Sequence, residues 1–147
     1  MTKIVLITGG TGSLGQELTK QLLQEDIEAI RIFSRDEHKQ SQMLSRFNDP
    51  RIKFFLGDVR HKARLWRALE NVDMVFHCAA LKSVQAGQYN PFEFIDTNVM
   101  GSQNLIDVCI DRNVRNVIGI STDKAYNPIS VYGATKLLME QLFLAAN

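Results

Sequence analysis

Ile4-Val5-Leu6-Ile7-Thr8-Gly9-Gly10-Thr11-Gly12-Ser13-Leu14-Gly15 is the stretch that decides the fold. An apolar run of strand length leads directly into glycines at 9, 12 and 15, and a helical pattern comes next, from Gln16 to Gln24. Strand, Gly-x-x-Gly-x-x-Gly and helix in that order suit a dinucleotide. Gly9 allows the tight turn, Gly12 has no Cβ to hold a pyrophosphate off the backbone, and Gly15 lets helix and strand approach closely. The free N–H groups and positive dipole end of the helix then face phosphate. Thr8, Ser13 and Leu14 complete the expected nucleotide-binding turn.

The rest of the chain repeats the theme. Strands are predicted at Lys3–Thr8, Glu28–Phe33, Ile52–Leu56, Asp73–His77 and Asn116–Ser121, with helices at Ser13–Glu25, Glu37–Phe47, Lys62–Leu69, Pro91–Arg112 and Ser130–Ala146. Such alternation predicts an α/β, Rossmann-type doubly wound parallel sheet, and right-handed crossovers set its order as 3-2-1-4-5. The cofactor then lies where the order reverses, and each functional residue comes just after a strand.

At 147 residues the chain is expected to be one NAD(P)-binding domain, residues 1–147, without repeats or linkers. Hydrophobic residues make up 45% and charged ones 22%, the balance of a globular protein, and the net charge is only +1. No basic field for nucleic acid or anionic lipid results. The opening apolar run stops too early for a signal peptide, and nothing later is long enough to cross a bilayer. Cys78 and Cys109 are far apart and outside any metal-ligand spacing, so two buried thiols in a reducing cytoplasm, and no metal, are expected. The last predicted helix is apolar almost all the way round, which predicts cover by another subunit or by further chain.

Beyond the glycine turn, the second strand ends Ser34-Arg35-Asp36. An NAD binder places an acid first at that point, for the ribose 2′-hydroxyl. Ser34 and Arg35 suit a 2′-phosphate instead, so NADP is expected over NAD, with Asp36 free to cap the next helix. Gly57-Asp58-Val59-Arg60 presents Asp58 and Val59 to the adenine, although Asp58 could equally cap a helix. Ala79, Ala80 and Lys82 come after the fourth strand with room for close approach. His77 reads as a core histidine, and Asn98 as an amide holding backbone or serving the site.

The densest cluster lies after strand five: Ser121-Thr122-Asp123-Lys124, then Tyr132-Gly133-Ala134-Thr135-Lys136. Tyr132 and Lys136 share a helix face. A phenol ordinarily ionises near 10, and a neighbouring ammonium and a cationic nicotinamide both favour phenolate, which makes Tyr132 a usable acid or base.

With these motifs the chain resembles an extended short-chain dehydrogenase/reductase, most closely the inverting UDP-N-acetylglucosamine 4,6-dehydratases of bacterial surface-sugar biosynthesis. The resemblance runs from residue 4 to the end. It also rests on Phe47-Asn48-Asp49-Pro50, Ala80-Leu81-Lys82, Tyr89-Asn90-Pro91, Ala125 and Asn127-Pro128. The run Thr122-Asp123-Lys124 discriminates, because retaining relatives carry glutamate where Lys124 stands. The resemblance implies a UDP-sugar substrate. Tyr132 and Lys136 would act at the C4 hydroxyl, Thr122 would bond the C4 oxygen, Lys124 would be the C5 base and Asp123 the acid at the C6 hydroxyl. It also implies that further strands and a substrate-binding domain, absent here, continue the chain, and that the last two helices pair in a homo-oligomer. Ser83-Val84-Gln85 departs from the family's usual His-Val-Pro. Two other readings remain: an epimerase or reductase using Tyr132 and Lys136 alone, and a non-catalytic NADP-binding module.

Overall fold

A computed structural model describes residues 3–147; Met1 and Thr2, the start of the run weighed as a signal peptide, lie outside them. Strands β1 (Lys3–Thr8), β2 (Ile27–Ser34), β3 (Ile52–Leu56), β4 (Met74–His77) and β5 (Asn116–Gly119) form one parallel sheet in the order β3-β2-β1-β4-β5. The fold class and strand order are those the sequence predicts. Period-two alternation divides the apolar strands between two cores. Leu6, Phe33 and Val75 point to one face and Val5, Ile7, Ile30 and Ile32 to the other. Helices α1 (Ser13–Leu22) and α2 (Glu37–Phe47) cover the second face through Leu18, Leu22, Met43 and Phe47. Helix α3 (Lys62–Ala68) closes the first face with Leu65.

Two predictions about helices need correction. Residues after β4 form a short helix, α4 (Val84–Tyr89), where the sequence pattern predicts none; Ser83 caps it, its Oγ accepting from Ala86 N at 3.2 Å. The single predicted helix Pro91–Arg112 is three segments: α5 (Pro91–Phe94), a π-helical turn (Ile95–Met100) and α6 (Gly101–Asp111). Gly101, at the second junction, packs on Val59, since a Cβ there would lie 2.6 Å from Val59 Cγ2. The final helix, α7 (Val131–Ala145), buries Met139 but leaves Leu138 and Leu144 exposed. Between α6, β5 and α7 runs an apolar groove of about 500 Å³, walled by Ile106, Val117 and Phe143. Among the described residues, no helix is long and apolar enough to cross a membrane.

His77 is the core histidine expected, and the bonds around it fix its state. Ser102 Oγ donates its proton to Asn98 O (2.6 Å), so it accepts from His77 Nε2 (2.9 Å); His77 Nδ1 then accepts from Thr8 Oγ1 (2.7 Å). Burial, helped by the charge of Lys136, pushes the imidazole down to about 3 from an ordinary 6.5. The folded chain therefore binds fewer protons than the unfolded one between those values, and stability is lost as pH falls through that window. Urea unfolding of the parent should lose about 1–2 kcal/mol between pH 6.5 and 5, and His77→Gln should flatten the profile. A flat parent profile would contradict this account.

Candidate functional site

The sheet reverses order between β1 and β4, and there a cleft of about 670 Å³ opens at the carboxyl ends of the strands. Its floor is the glycine turn. Gly9 has φ +64°, and a Cβ on it would lie 2.8 Å from Ala79 N, so both the left-handed backbone and the contact demand glycine. A Cβ on Gly15 would lie 2.5 Å from the Gly10 backbone, and one on Gly10 would lie 2.9 Å from Ile32 Cγ2. The close contact with a strand thus belongs to Gly10; Gly15 packs on the turn itself, which corrects the expected role. Helix α1 begins at this floor with no side-chain cap and no acid in its first turn, leaving its N–H groups and dipole open to an anion.

Fourteen of the sixteen expected cofactor residues wall this cleft: Gly9, Gly12, Ser13, Leu14 and Gly15 at the floor, Ser34, Arg35, Asp58 and Val59 at one end, and Ala79, Ala80, Lys82, Tyr132 and Lys136 toward the other. Thr8 and Asn98 do not. Thr8 is buried in the His77 network and accepts from Ala79 N at 3.2 Å. Asn98, on the π turn, clamps the backbone after β4: its Oδ1 accepts from Leu81 N at 2.8 Å, and its Nδ2 donates to Leu81 O at 2.9 Å and to Thr135 Oγ1 at 3.1 Å. Of the two roles open to Asn98, the structure assigns the holding of backbone.

At the Ser34 end, Ser34 is buried, and its Oγ accepts from Gln40 Nε2 at 2.9 Å, a support from α2 that no sequence motif marks. Asp36 caps α2, accepting from Lys39 N at 2.9 Å. Arg35 is half exposed and reaches Asp58 at 3.5 Å, whereas Arg60 grips the same carboxylate at 2.8 Å. Burial would raise the Asp58 carboxyl, but hydrogen bonds from the Arg60 side chain and backbone outweigh it and hold the group below its ordinary range. Asp58 caps no helix; its bond to Arg60 N makes a local turn, and α3 begins without a side-chain cap.

Thr97 was missed by sequence reasoning. It is 3% exposed, lines the cleft, and its Oγ1 has no hydrogen-bond partner in the protein. A buried hydroxyl without a partner beside a cleft is a group that calls for one, and no sequence motif marks it. Cys78, expected to be buried, is half buried on the cleft wall, and burial pushes its thiol up to about 11.

At the far end, Lys136 is 3% exposed and donates to Ile120 O, just beyond β5, and to Met139 Sδ at 3.1 Å. Burial pulls its ammonium down to about 8. Tyr132, one helical turn earlier, is half buried beside it on the same cleft wall. Thr122, Asp123 and Lys124 stand outside these walls, on and beside the short 3₁₀ turn Asp123–Ala125 beyond β5. Asp123 and Lys124 are solvent-exposed and paired at 3.4 Å. A hydrogen bond from the Thr122 hydroxyl and the charge of Lys124 hold the Asp123 carboxyl below its ordinary range. Among the described residues, no cluster of His, Cys, Asp or Glu could hold a metal ion.

Residues 5–147 match the polysaccharide biosynthesis protein family. The chain is 53% identical, over 146 residues, to the UDP-N-acetylglucosamine 4,6-dehydratase (inverting) of Campylobacter jejuni, covering 99% of this chain and 44% of that enzyme. It is 46% identical over 147 residues to the UDP-glucose 4-epimerase of Rickettsia conorii, covering 97% of this chain and 43% of that one. Among solved structures it resembles DesIV, a dTDP-glucose 4,6-dehydratase from Streptomyces venezuelae with NAD and TYD bound. There the TM-score is 0.90 at 28% identity, over 97% of this chain and 51% of that one. The chain spans less than half the length of the two curated relatives.

The clamp at Asn98 can be tested directly. Asn98→Ala leaves the N–H and C=O of Leu81 without partners and should cost about 2–4 kcal/mol in urea unfolding. A cost under about 0.5 kcal/mol would show that water replaces the amide freely.

Proposed function

The chain belongs to the polysaccharide biosynthesis protein family, and on that premise we propose that it is the cofactor-binding, catalytic-residue part of an NADP-dependent nucleotide-sugar 4,6-dehydratase of the C5-inverting type. The observation that carries this reading is that Tyr132 and Lys136 share one cleft with the glycine turn. The cleft fits a dinucleotide by its glycine floor, the uncapped start of α1 and the orphan Thr97 hydroxyl. Ser34 and Arg35 would meet a 2′-phosphate with a hydroxyl and a cation, which favours NADP, although DesIV is described with NAD. When bound, NADP would supply a hydride acceptor at C4 and a hydride donor at C6 of the sugar.

The chain's own residues handle protons. Tyr132 takes the proton of the C4 hydroxyl, with the Lys136 ammonium one helical turn away on the same cleft wall, and Thr122 bonds the C4 oxygen. A 4-keto group acidifies C5, where Lys124 is the base, and Asp123 protonates the departing C6 hydroxyl. In solvent these two side chains form an ion pair. One proton passed from Lys124 to Asp123 turns the pair into the neutral base and neutral acid that elimination needs, and covering the turn with sugar and protein favours that neutral form.

A second reading has an observation behind it: Asp123 and Lys124 lie outside the cleft walls, and one relative is named an epimerase. An epimerase would use Tyr132 and Lys136 without them. The homo-oligomer formed through the last two helices belongs to the proposal too; exposed Met100, Ile110, Leu138 and Leu144 on α6, α7 and the adjoining turn support it.

By titration calorimetry, NADP should bind this chain more tightly than NAD, and Arg35→Ala should lose about 1.5–3 kcal/mol of NADP affinity. Equal affinities for the two nucleotides would reject the NADP assignment. In the complete enzyme acting on UDP-N-acetylglucosamine, Tyr132→Phe should lower turnover by about 10²–10⁴-fold. Lys124→Ala should still oxidise C4 but stall there, so that reduced nicotinamide accumulates and is read by absorbance. If Lys124→Ala forms the 4-keto-6-deoxy product at the parent rate, Lys124 is not the base, and a C4-epimer as the parent's product would select the epimerase.

A further inference from the structure

Behind the cleft wall, Glu140 lies one turn after Lys136 on α7, half buried where the apolar groove beside β5 meets the site. Its carboxylate accepts the Ser121 hydroxyl, and Ser121 lines the cleft on the other side. We infer that Glu140 is a positioning residue, which fixes Ser121 by a hydrogen bond and acts on Lys136, one helical turn away, by its charge at the nicotinamide end of the cleft. The inference rests on the reading of that cleft as a nicotinamide-cofactor site.

Two independent observations carry it. The first is mechanical. β5 ends at Gly119, and the segment just beyond it bonds to α7 through Lys136 Nζ on Ile120 O and Ser121 Oγ on Glu140. The groups that meet substrate and cofactor at this end therefore hang from one pair of side chains a helical turn apart.

The second is electrostatic. Lys136 is nearly buried, with no carboxylate within ion-pair distance among the described residues, and burial is the largest influence on its ammonium. Charges that oppose burial come from Cys78 and Glu140. The Cys78 thiol, just past β4, is itself pushed up to about 11 and is neutral at pH 7; His77 on β4 is neutral as well. From the segment just beyond β5 the lysine meets a carbonyl, that of Ile120, and on α7 Tyr132 lines the same cleft wall. Glu140 is thus the standing negative charge that keeps Lys136 an ammonium near neutral pH, without the tight ion pair that would divert the ammonium from the cleft. A carboxylate placed closer would hold the lysine more firmly and also pull it out of position.

The test is an NMR titration of the lysine 13Cε resonances in the cofactor-free chain, with the Lys136 signal assigned from Lys136→Arg. The parent midpoint should fall near 8. Glu140→Gln keeps shape and removes charge, and should raise the acid dissociation constant of Lys136 about threefold or more. Glu140→Asp keeps the charge on a shorter arm and should stay near the parent; it carries the test if the Gln variant fails to fold by circular dichroism. A Lys136 midpoint unchanged by Gln, or lowered equally by Gln and Asp, overturns the proposal, as does an acid dissociation constant raised about threefold in the Asp variant when it alone folds. NADPH titration of the parent separates the two questions: a chain that titrates as described yet binds no NADPH rejects the proposed function and leaves the role of Glu140 standing.

Discussion

One buried chain of hydrogen bonds ties the site together. It starts at Ala79 N–H, passes through Thr8, His77 and Ser102 to the Asn98 backbone, and leaves through the Asn98 amide to Leu81 and Thr135. Thr135 in turn donates to Tyr132 O at 2.9 Å. Strands β1 and β4, the loop after β4, the π turn and α7 are thereby locked to one another through bonds that are buried at His77, Ser102 and Asn98. Every member has its partner, which is what makes such a network rigid; a single unmatched group would make it a liability. The glycine turn and the Tyr132–Lys136 face hold their relative positions because both hang from this chain.

The π turn gives the network its geometry. Adjacent positions of a regular α-helix emerge about 100° apart. An extra residue in one turn resets that spacing, so that Asn98 faces Leu81 while its neighbour Thr97 faces the cleft. The irregularity is housed where α6 must also approach Val59, at Gly101. A structural pin and a residue that lines the cleft are thus obtained from two consecutive positions.

Charge is distributed unevenly along the cleft. At the turn, α1 offers an uncapped positive end; at the Ser34 end, Asp58 is held as a carboxylate between two arginines; at the far end, a lysine is buried, with Glu140 as the negative charge acting on it. The cleft thus holds an anion-seeking backbone, a hydrogen-bond acceptor and a buried cation, which suit the phosphate, base and reactive ring of a dinucleotide respectively. Asp123 and Lys124, still solvated on their turn, stand apart from this arrangement.

The fold and most of the cleft were legible in the residues themselves. Alternating apolar runs, glycine spacing and strand-end polar clusters are local signals, and a parallel sheet converts each into a position at its carboxyl edge; hence Gly9, Ser34, Asp58, Ala79 and Tyr132 could all be placed without coordinates. The features that could not be read depend on contacts between residues distant in the chain. The break of the Pro91–Arg112 helix into a π turn, the unpartnered hydroxyl of Thr97, the strand contact made by Gly10 and not by Gly15, the hold of Gln40 on Ser34 and the reach of Glu140 to Ser121 leave no periodicity and no spacing. Local composition carries the elements and their order, because backbone preference and hydrophobic period act over a few residues. The direction in which a buried polar side chain turns is settled only when the packed neighbours supply, or withhold, its hydrogen-bond partner.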